Sequence, residues 1–267
     1  MPGATAWIGA LRISKDRFAA LVGRLDGEAS RRPSYDSEWS IAQVASHLGS
    51  QAEIYTMFLD AGLSGRHAPG MDQCRPIWDQ WDNRTPERQV SDSVGANEKF
   101  LVRMETLSGA QAASFALSLE GADLDLAGFA ASRLSEFALH TWDIAVALDP
   151  EATIPADAVD LLVDTLPAAA TRAGTPSLEH RSIVVRTAAP ERSFVLTTGP
   201  SIVLSLDAAG GAVSSDRADP APDTALIHLP GEALVRLVYG RLDPAHTPPE
   251  LADDAVLPVL RGLFPGF

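Results

Sequence analysis

Two ionisable side chains share one face of an otherwise apolar helical segment. The segment reads SEFALHTWDIAVAL over residues 135–148, and Glu136 and His140 stand four residues apart in it. On a helix this spacing places the two side chains one above the other, near an apolar side marked by Phe137 and Ile144. An ionisable pair beside an apolar stripe destabilises the fold unless a partner neutralises it. The spacing therefore raises the question of what that partner is.

A third candidate, His47, lies in an earlier helical segment, on the same face as Val44. Facing helices of a bundle build metal sites from their inward side chains. Two imidazoles and one carboxylate are a common ligand set for a catalytic divalent metal, and they leave positions for water or substrate. Zinc suits this set best, and iron and nickel remain alternatives because the ligand types do not separate them.

Each of these residues also has a purely structural interpretation. His47 alone is more often a core histidine satisfied by one hydrogen bond. Glu136 and His140 alone would be a surface pair contributing about 0.2–0.5 kcal/mol. The E-x-x-x-H spacing is common by chance, and the more specific H-E-x-x-H and paired C-x-x-C motifs do not occur in the sequence. Spacing alone therefore leaves the metal site and the structural pair both open.

Four long helices are predicted in the first half of the chain, and they position these candidates. Ser40 and Gln43 form the pattern of a capping box at the start of the second helix, and Asp149-Pro150 ends the fourth. Four helices of about 20 residues are typical of a four-helix bundle. Apolar residues at helical spacing place these helices at 5–25, 39–63, 87–107 and 125–148.

The connection over residues 65–86 is predicted to be a long loop. Loops of this length in a bundle are often functional lids, and Trp78 and Trp81 would line a pocket or cover the end of the bundle. His67 and Cys74 also fall in it. We expect neither to be a metal ligand, and a nucleophilic Cys74 is disfavoured because no Cys–His pair is readable.

The character of the sequence changes at residues 149–155. A predicted helix over 157–174 precedes short β-branched runs separated by turn residues, and a closing helix follows over 231–242. We therefore predict an α+β chain with a four-helix bundle over residues 1–150 and a small α/β domain over residues 156–267, whose sheet is mostly antiparallel. The β-branched runs are 182–187, 193–198, 201–206 and 224–229.

Composition excludes several classes of partner. The 267 residues carry 21 Lys and Arg against 35 Asp and Glu, a formal net charge of −14, which argues against nucleic-acid binding. No apolar run reaches the length of about 18 residues that a transmembrane helix needs, and no signal-peptide pattern opens the sequence. The single cysteine excludes an internal disulfide and is typical of a reducing cytosol. We expect a cytoplasmic monomer.

Two segments resemble motifs of known proteins. EWSIAQVASHL, residues 38–48, resembles the second-helix motif of the DinB-like metalloprotein superfamily, in which Trp, Ser and His recur at this spacing. SEFALHTWDIAVAL resembles the E-x-x-x-H-x-W-D signature of its actinobacterial branch, the mycothiol-dependent maleylpyruvate isomerase family. The resemblance covers nearly the whole chain, including LVYGRL at 237–242, and implies a DinB-like bundle followed by a small α/β domain.

The resemblance also implies roles for particular residues. In the family a histidine of the second helix and the Glu and His of the fourth bind zinc, and these roles fall on His47, Glu136 and His140. The family's C-terminal domain leans over the metal and contributes an arginine, for which Arg241 is the match; the alternative is an arginine that faces the dipole of a helix C-terminus. Asp143 either orients a metal-bound imidazole or is an exposed acidic residue near a helix end.

Mycothiol is the thiol cofactor or co-substrate that the family implies. Zinc would bind its sulfur and lower its pKa, and the thiolate would attack an electrophilic small molecule. We favour S-transfer or thiol exchange as the outcome, with maleylpyruvate cis–trans isomerisation as the alternative. A non-catalytic metal protein that binds a small ligand, and an interaction module whose acidic surface meets a basic partner, are further alternatives.

Overall fold

The computed structural model describes the whole chain except Met1, Ser37, Glu120, residues 208–224 and Phe267. Its contacts divide it into two compact units, Met1–Thr153 and Ile154–Phe267. The first unit is helical and the second contains a sheet, so the α+β class predicted from the sequence is confirmed. Among the described helices, none combines the length and the apolar composition that a membrane span requires.

The four long helices of the first unit coincide with the predicted ones. Helix α1 packs on α6 and α4, and α2 packs on α4 and α6. Their shared interior is filled by large side chains that are almost completely buried, among them Trp7, Phe18, Phe100, Phe129 and Phe137. The long helices are α1 (Ala4–Val22), α2 (Ile41–Leu63), α4 (Pro86–Glu105) and α6 (Leu126–Leu148).

Local sequence signals fix the start of α2 and the end of α6. The Ser40 hydroxyl accepts the Gln43 backbone N–H at 3.2 Å, and the Gln43 side chain accepts the Ser40 N–H at 2.8 Å. These two bonds are the predicted capping box, which satisfies N–H groups that a helix start leaves open. Helix α6 ends at Leu148, immediately before Asp149-Pro150. The start of α2 and the end of α6, the two helices that carry the predicted ligands, therefore lie where the sequence predicts them.

The prediction of a loop over residues 65–86 is wrong, because helix α3 (Met71–Asp82) forms there. The polar segment contains Pro76, which disfavours an interior helical position, but its one fully buried tryptophan overrides this local preference. Trp81 packs so closely on α2 that a Cβ added to Gly49 would lie 2.2 Å from its ring. The Trp81 indole N–H also donates to Glu53 Oε1 at 3.0 Å. Trp81 therefore covers the bundle rather than lining a pocket.

Three short elements between α4 and α6 have no counterpart in the sequence prediction. Helix α5 (Gly109–Ser114) begins with a capping box at Ser108 and Gln111. Strands β1 (Leu117–Leu119) and β2 (Ala122–Leu124) then form an antiparallel hairpin. These elements complete the connection that leads the chain into α6.

The second unit contains a four-stranded sheet of order β5-β4-β3-β6. Only the β3–β6 pair is parallel among the described strands, so the sheet is mostly antiparallel as predicted. Residue 224 of the last predicted run lies outside the described part of the chain. The strands are β3 (Ser182–Ala188), β4 (Arg192–Thr197), β5 (Val203–Leu206) and β6 (Ala225–Pro230).

The helices of the second unit differ in detail from the prediction. The helix predicted over 157–174 is divided by a 3-10 turn into α7 (Ala156–Leu162) and α8 (Leu166–Ala173). Helix α9 (Gly231–Val238) is shorter than the predicted 231–242. Gly240 follows it with a positive φ of 70°, a conformation that glycine adopts without strain and that ends the helix. Helix α10 (Leu257–Leu263) comes later, so α9 does not close the chain.

Candidate metal centre

The packing of α2 against α6 brings the three predicted ligands together. His47 lies on α2, and Glu136 and His140 lie one turn apart on α6. Glu136 Oε2 is 3.6 Å from His47 Nε2 and 3.6 Å from His140 Nε2. The two imidazole rings have centroids 4.5 Å apart and are inclined at 64°. One potential ligand atom from each residue lies within 4.8 Å of the others.

These separations fit a cation better than direct hydrogen bonds. A distance of 3.6 Å is too long for a hydrogen bond between nitrogen and oxygen. Zinc ligands at 2.0–2.2 Å in tetrahedral geometry lie about 3.3–3.6 Å from one another. His47 Nε2 is buried and has no hydrogen-bond partner among the described residues. Because an unpaired buried nitrogen costs free energy, the donor set fits a divalent cation that would use this lone pair.

Asp143 is buried and contacts His140 from the side away from Glu136. Its side chain is 2% exposed, and Oδ2 lies 2.9 Å from His140 Nδ1. The alternative of an exposed acidic residue is therefore wrong. A hydrogen bond donated by Nδ1 leaves Nε2 of the neutral ring as the acceptor, pointing its lone pair at the cluster. The Asp143 backbone carbonyl also accepts the Tyr35 N–H at 3.0 Å.

The charges around the cluster favour the protonation states that a metal requires. Burial acts to raise the pKa of Glu136, but its contact with His47 and its electrostatic interactions with His140, His47 and Arg133 together lower it to about 2. Burial lowers the pKa of His47, and electrostatic interactions with His140 and Arg133 add to this effect while Glu136 opposes it. An ionised carboxylate and a neutral imidazole are the metal-binding forms.

Trp39, the tryptophan of the second-helix motif, covers one side of the cluster, a contact that the sequence analysis did not predict. Its ring centroid lies 5.3 Å from that of His47 and 6.4 Å from that of His140, and its plane is within 21° of the His140 ring. The residue is 37% exposed, so its outer face is open to solvent. Its position directly before the N-cap Ser40 could have indicated that it lies at the N-terminal end of α2.

Two other candidates have local environments that bear on their predicted roles. Burial and the charge of Asp72 raise the pKa of Cys74, which is the direction opposite to nucleophile activation. Arg241 belongs to the second unit, beyond the end of α9, where its Nη1 donates to the Tyr239 carbonyl at 3.0 Å. That contact is compatible with the helix-dipole interpretation. A role for Arg241 beside the metal remains a prediction.

Comparisons with known proteins find one matching family model and two similar solved structures. The family model for the mycothiol maleylpyruvate isomerase N-terminal domain matches residues 11–145, the part that contains all three predicted ligands. A crystal structure of the mycothiol-dependent maleylpyruvate isomerase matches with a TM-score of 0.64 at 14% identity, covering 90% of both chains. A histidine-to-alanine mutant of that isomerase matches with the same TM-score and coverage at 13% identity. A search of curated proteins finds no significant match.

Proposed function

Because this chain belongs to the family of the mycothiol maleylpyruvate isomerase N-terminal domain, we propose that it is a zinc-dependent enzyme that uses mycothiol against an electrophilic small molecule. The observation that carries the proposal is the cluster of His47, Glu136 and His140, with the buried and unpartnered Nε2 of His47 at its centre. A metal held at this cluster could bind and activate a thiol, whereas an ion pair that only stabilises the fold could not.

His47, Glu136 and His140 would hold the ion, and a set of three protein ligands would leave it able to bind the thiol sulfur as well. When bound, zinc supplies positive charge that lowers the pKa of a thiol, so that a thiolate is present at neutral pH. Asp143 would keep His140 oriented by accepting its Nδ1 proton at 2.9 Å. Trp39 would restrict the approach of the two substrates, because its ring lies against both imidazoles.

Attack of the thiolate on an electrophilic carbon forms a carbon–sulfur bond, either with loss of a leaving group such as halide from that carbon or with opening of a conjugated double bond. The fate of the new bond separates the possible reactions. If the bond is retained, the outcome is S-transfer or thiol exchange, which we propose for this chain. If bond rotation and elimination follow, the outcome is cis–trans isomerisation, the second candidate, which the likeness to maleylpyruvate isomerase supports. A protein that binds the thiol without turnover is the non-catalytic alternative.

One experiment separates these outcomes. The purified protein is assayed for metal content and incubated with mycothiol and either an alkyl halide or maleylpyruvate. A stable thioether with the alkyl halide supports S-transfer, and isomerised maleylpyruvate with full recovery of mycothiol supports isomerisation. Bound thiol without product in either reaction supports the non-catalytic alternative. Protein that retains no metal contradicts the proposal. In the matched control glutathione replaces mycothiol, and we expect little or no reaction.

Arg241 is proposed to bind a carboxylate of the electrophilic substrate. A guanidinium holds a carboxylate through two parallel hydrogen bonds and keeps its charge at all relevant pH values. We expect Arg241→Ala to retain metal content and helical signal but to lose most turnover, because the substrate is no longer positioned. Arg181→Ala, at an exposed arginine that pairs with Glu179, is the control. Unchanged kinetics in Arg241→Ala would remove this residue from the site.

A further inference from the structure

A fully buried arginine lies inside the bundle one turn before the metal ligand Glu136. Arg133 is 0% exposed, and the rings of Tyr55, Phe100 and Phe137 lie 5.1, 5.9 and 5.3 Å from its Cζ. Its Nε and Nη1 have no hydrogen-bond partner within the part of the chain that the structure describes. Such a group is costly in an apolar core, so its presence calls for an explanation.

The hydrogen bonds that Arg133 does make connect three helices. Its Nη2 donates to the Leu48 carbonyl of α2 at 3.0 Å and to Asn97 Oδ1 of α4 at 2.7 Å. The Asn97 amide donates in turn to the same Leu48 carbonyl at 3.2 Å and to the Ser93 carbonyl at 2.8 Å. We call Arg133, Asn97 and the Leu48 carbonyl the Arg133 node.

The node lies at the level of the metal cluster on both helices. Leu48 directly follows the ligand His47 on α2, and Arg133 precedes the ligand Glu136 by three residues on α6. A slip of one residue along a helix displaces a side chain by about 1.5 Å, whereas metal–ligand distances tolerate about 0.2 Å. A contact that fixes α2 against α6 here therefore controls whether the three ligand atoms can meet.

We propose that the Arg133 node positions the metal ligands by fixing the axial placement of α2 against α6, so that His47 Nε2 meets Glu136 and His140. The inference rests on the metal site of the proposed function. Stability alone does not account for the node, because apolar residues of similar volume often replace buried charged groups with equal or greater stability. Nor does its charge assist binding directly, since a guanidinium repels a divalent cation. If Arg133 acts by positioning, its removal should weaken metal binding. If only its charge mattered, its removal should strengthen metal binding.

The test compares zinc affinity with fold stability in matched variants. Zn²⁺ affinity is measured by competition with a chromophoric chelator, and the melting temperature is measured without metal. Arg133→Met with Asn97→Leu removes both sides of the node and leaves no half-satisfied amide. We expect Kd for Zn²⁺ to rise about 10- to 100-fold, the usual effect of losing a group that supports a ligand, at an unchanged or higher melting temperature. Arg103→Met, at a half-exposed arginine of α4 that pairs with Asp60, is the control and should retain the wild-type Kd.

Two further variants keep the test decisive. Arg133→Lys retains the charge but lacks the planar fork that reaches Leu48 and Asn97 together, so its Kd should also rise. Asn97→Ala removes only the hydrogen bond between Arg133 and α4 and should raise the Kd less. If the double variant does not fold, the Kd of Asn97→Ala tests the inference in its place. Wild-type affinity in these variants, or tighter binding, overturns the inference while leaving the metal site intact. A wild-type protein that binds no Zn²⁺ overturns the proposed function itself.

Discussion

Each unit of the molecule buries an arginine, and the two differ in how completely their polar atoms are paired. In the second unit Arg236 forms a double ion pair with Glu232 at 2.6 and 2.9 Å and donates to the carbonyls of Arg241 and His246 at 3.3 and 2.7 Å. In the first unit Arg133 has two nitrogens without partners, and nearby His47 Nε2 is also unpaired.

The histidines of the two units show the same contrast. His246 Nδ1 lies 3.0 Å from both carboxylate oxygens of Asp243, and its side chain is 24% exposed, so water can reach the ring. His140 has a similar contact from Nδ1 to Asp143, but its Nε2 and the buried Nε2 of His47 stand 3.6 Å from a shared carboxylate, too far for a hydrogen bond. Completed pairing is typical of a structural network, whereas incomplete pairing in a buried cluster indicates a missing partner. The comparison therefore separates the candidate metal site from a network that only supports the fold.

The largest expected effect is loss of the metal from the incomplete cluster. His140→Ala or His47→Ala should abolish metal retention and activity, because two remaining ligands cannot replace a three-ligand site. The far-ultraviolet dichroism should stay close to that of wild type, since the large buried side chains that pack the bundle remain in place. Metal content is measured after gel filtration. His246→Ala, in the completed network, should retain the metal. A full complement of metal in His140→Ala would place the site elsewhere.

The second effect concerns the fully paired arginine of the second unit, where a substitution should change stability and leave metal binding unchanged. Arg236→Met leaves the Glu232 carboxylate, which is only 13% exposed, without its cation, and breaking a largely buried pair in this way costs about 3–5 kcal/mol. The free energy of unfolding of the second unit should fall by this amount in urea. Metal content should be unchanged while the protein is folded. The double variant Arg236→Met/Glu232→Met removes both charges and should recover much of the loss; equal destabilisation in both variants would contradict the explanation.

A smaller effect is expected at the group that supports His140. Asp143→Asn keeps the size of the side chain but replaces a charged acceptor with an amide at the 2.9 Å contact to Nδ1. Metal affinity should fall about 10- to 100-fold, as it does when such supporting groups are lost. The chelator competition described above measures it. Asp243→Asn, at the equivalent contact to His246, is the matched control, and a similar loss there would argue against a specific role for Asp143.

The smallest effect concerns ion pairs on the surface. Arg12 and Lys15 hydrogen-bond Glu98 and lower its pKa from 4.5 to about 2. A lowered pKa in the folded state gives stability that is complete above about pH 4.5 and is lost as the pH falls towards 2. Because Glu98 is 40% exposed, the contribution should be at most about 1 kcal/mol. The stability difference between wild type and Glu98→Gln should therefore shrink over this interval; a constant difference would show that the charge contributes nothing.

Local signals explain the part of the fold that could be predicted. The capping box at Ser40 and Gln43 and the stop at Asp149-Pro150 are short-range features, so both ends were readable without the tertiary structure. The spacing of Glu136 and His140 is likewise a property of one helix. Together with the motif around His47, it was enough to nominate the three residues that the structure brings within 4.8 Å.

Most of the features that sequence reasoning missed depend on contacts between distant elements. Helix α3 is the exception, because its apolar residues stand at helical spacing and the pattern was overlooked; they are Cys74, Ile77, Trp78 and Trp81. The partners of Arg133 come from α2 and α4, 85 and 36 residues away in the chain. Trp39 contacts both histidines only because α2 and α6 pack together. The domain boundary at 149–155 remains a prediction that limited proteolysis can test.

The close approach of Trp81 to Gly49 has a consequence for reading mutational scans of this chain. Any side chain at position 49 would overlap the indole, since even a Cβ would lie 2.2 Å from it. A scan should therefore show that position 49 tolerates no substitution, although it lies only two residues from the predicted ligand His47. Intolerance there would reflect the volume that the tryptophan occupies. Loss of function on substitution at position 49 would thus report steric exclusion and carry no information about the chemistry of the neighbouring site.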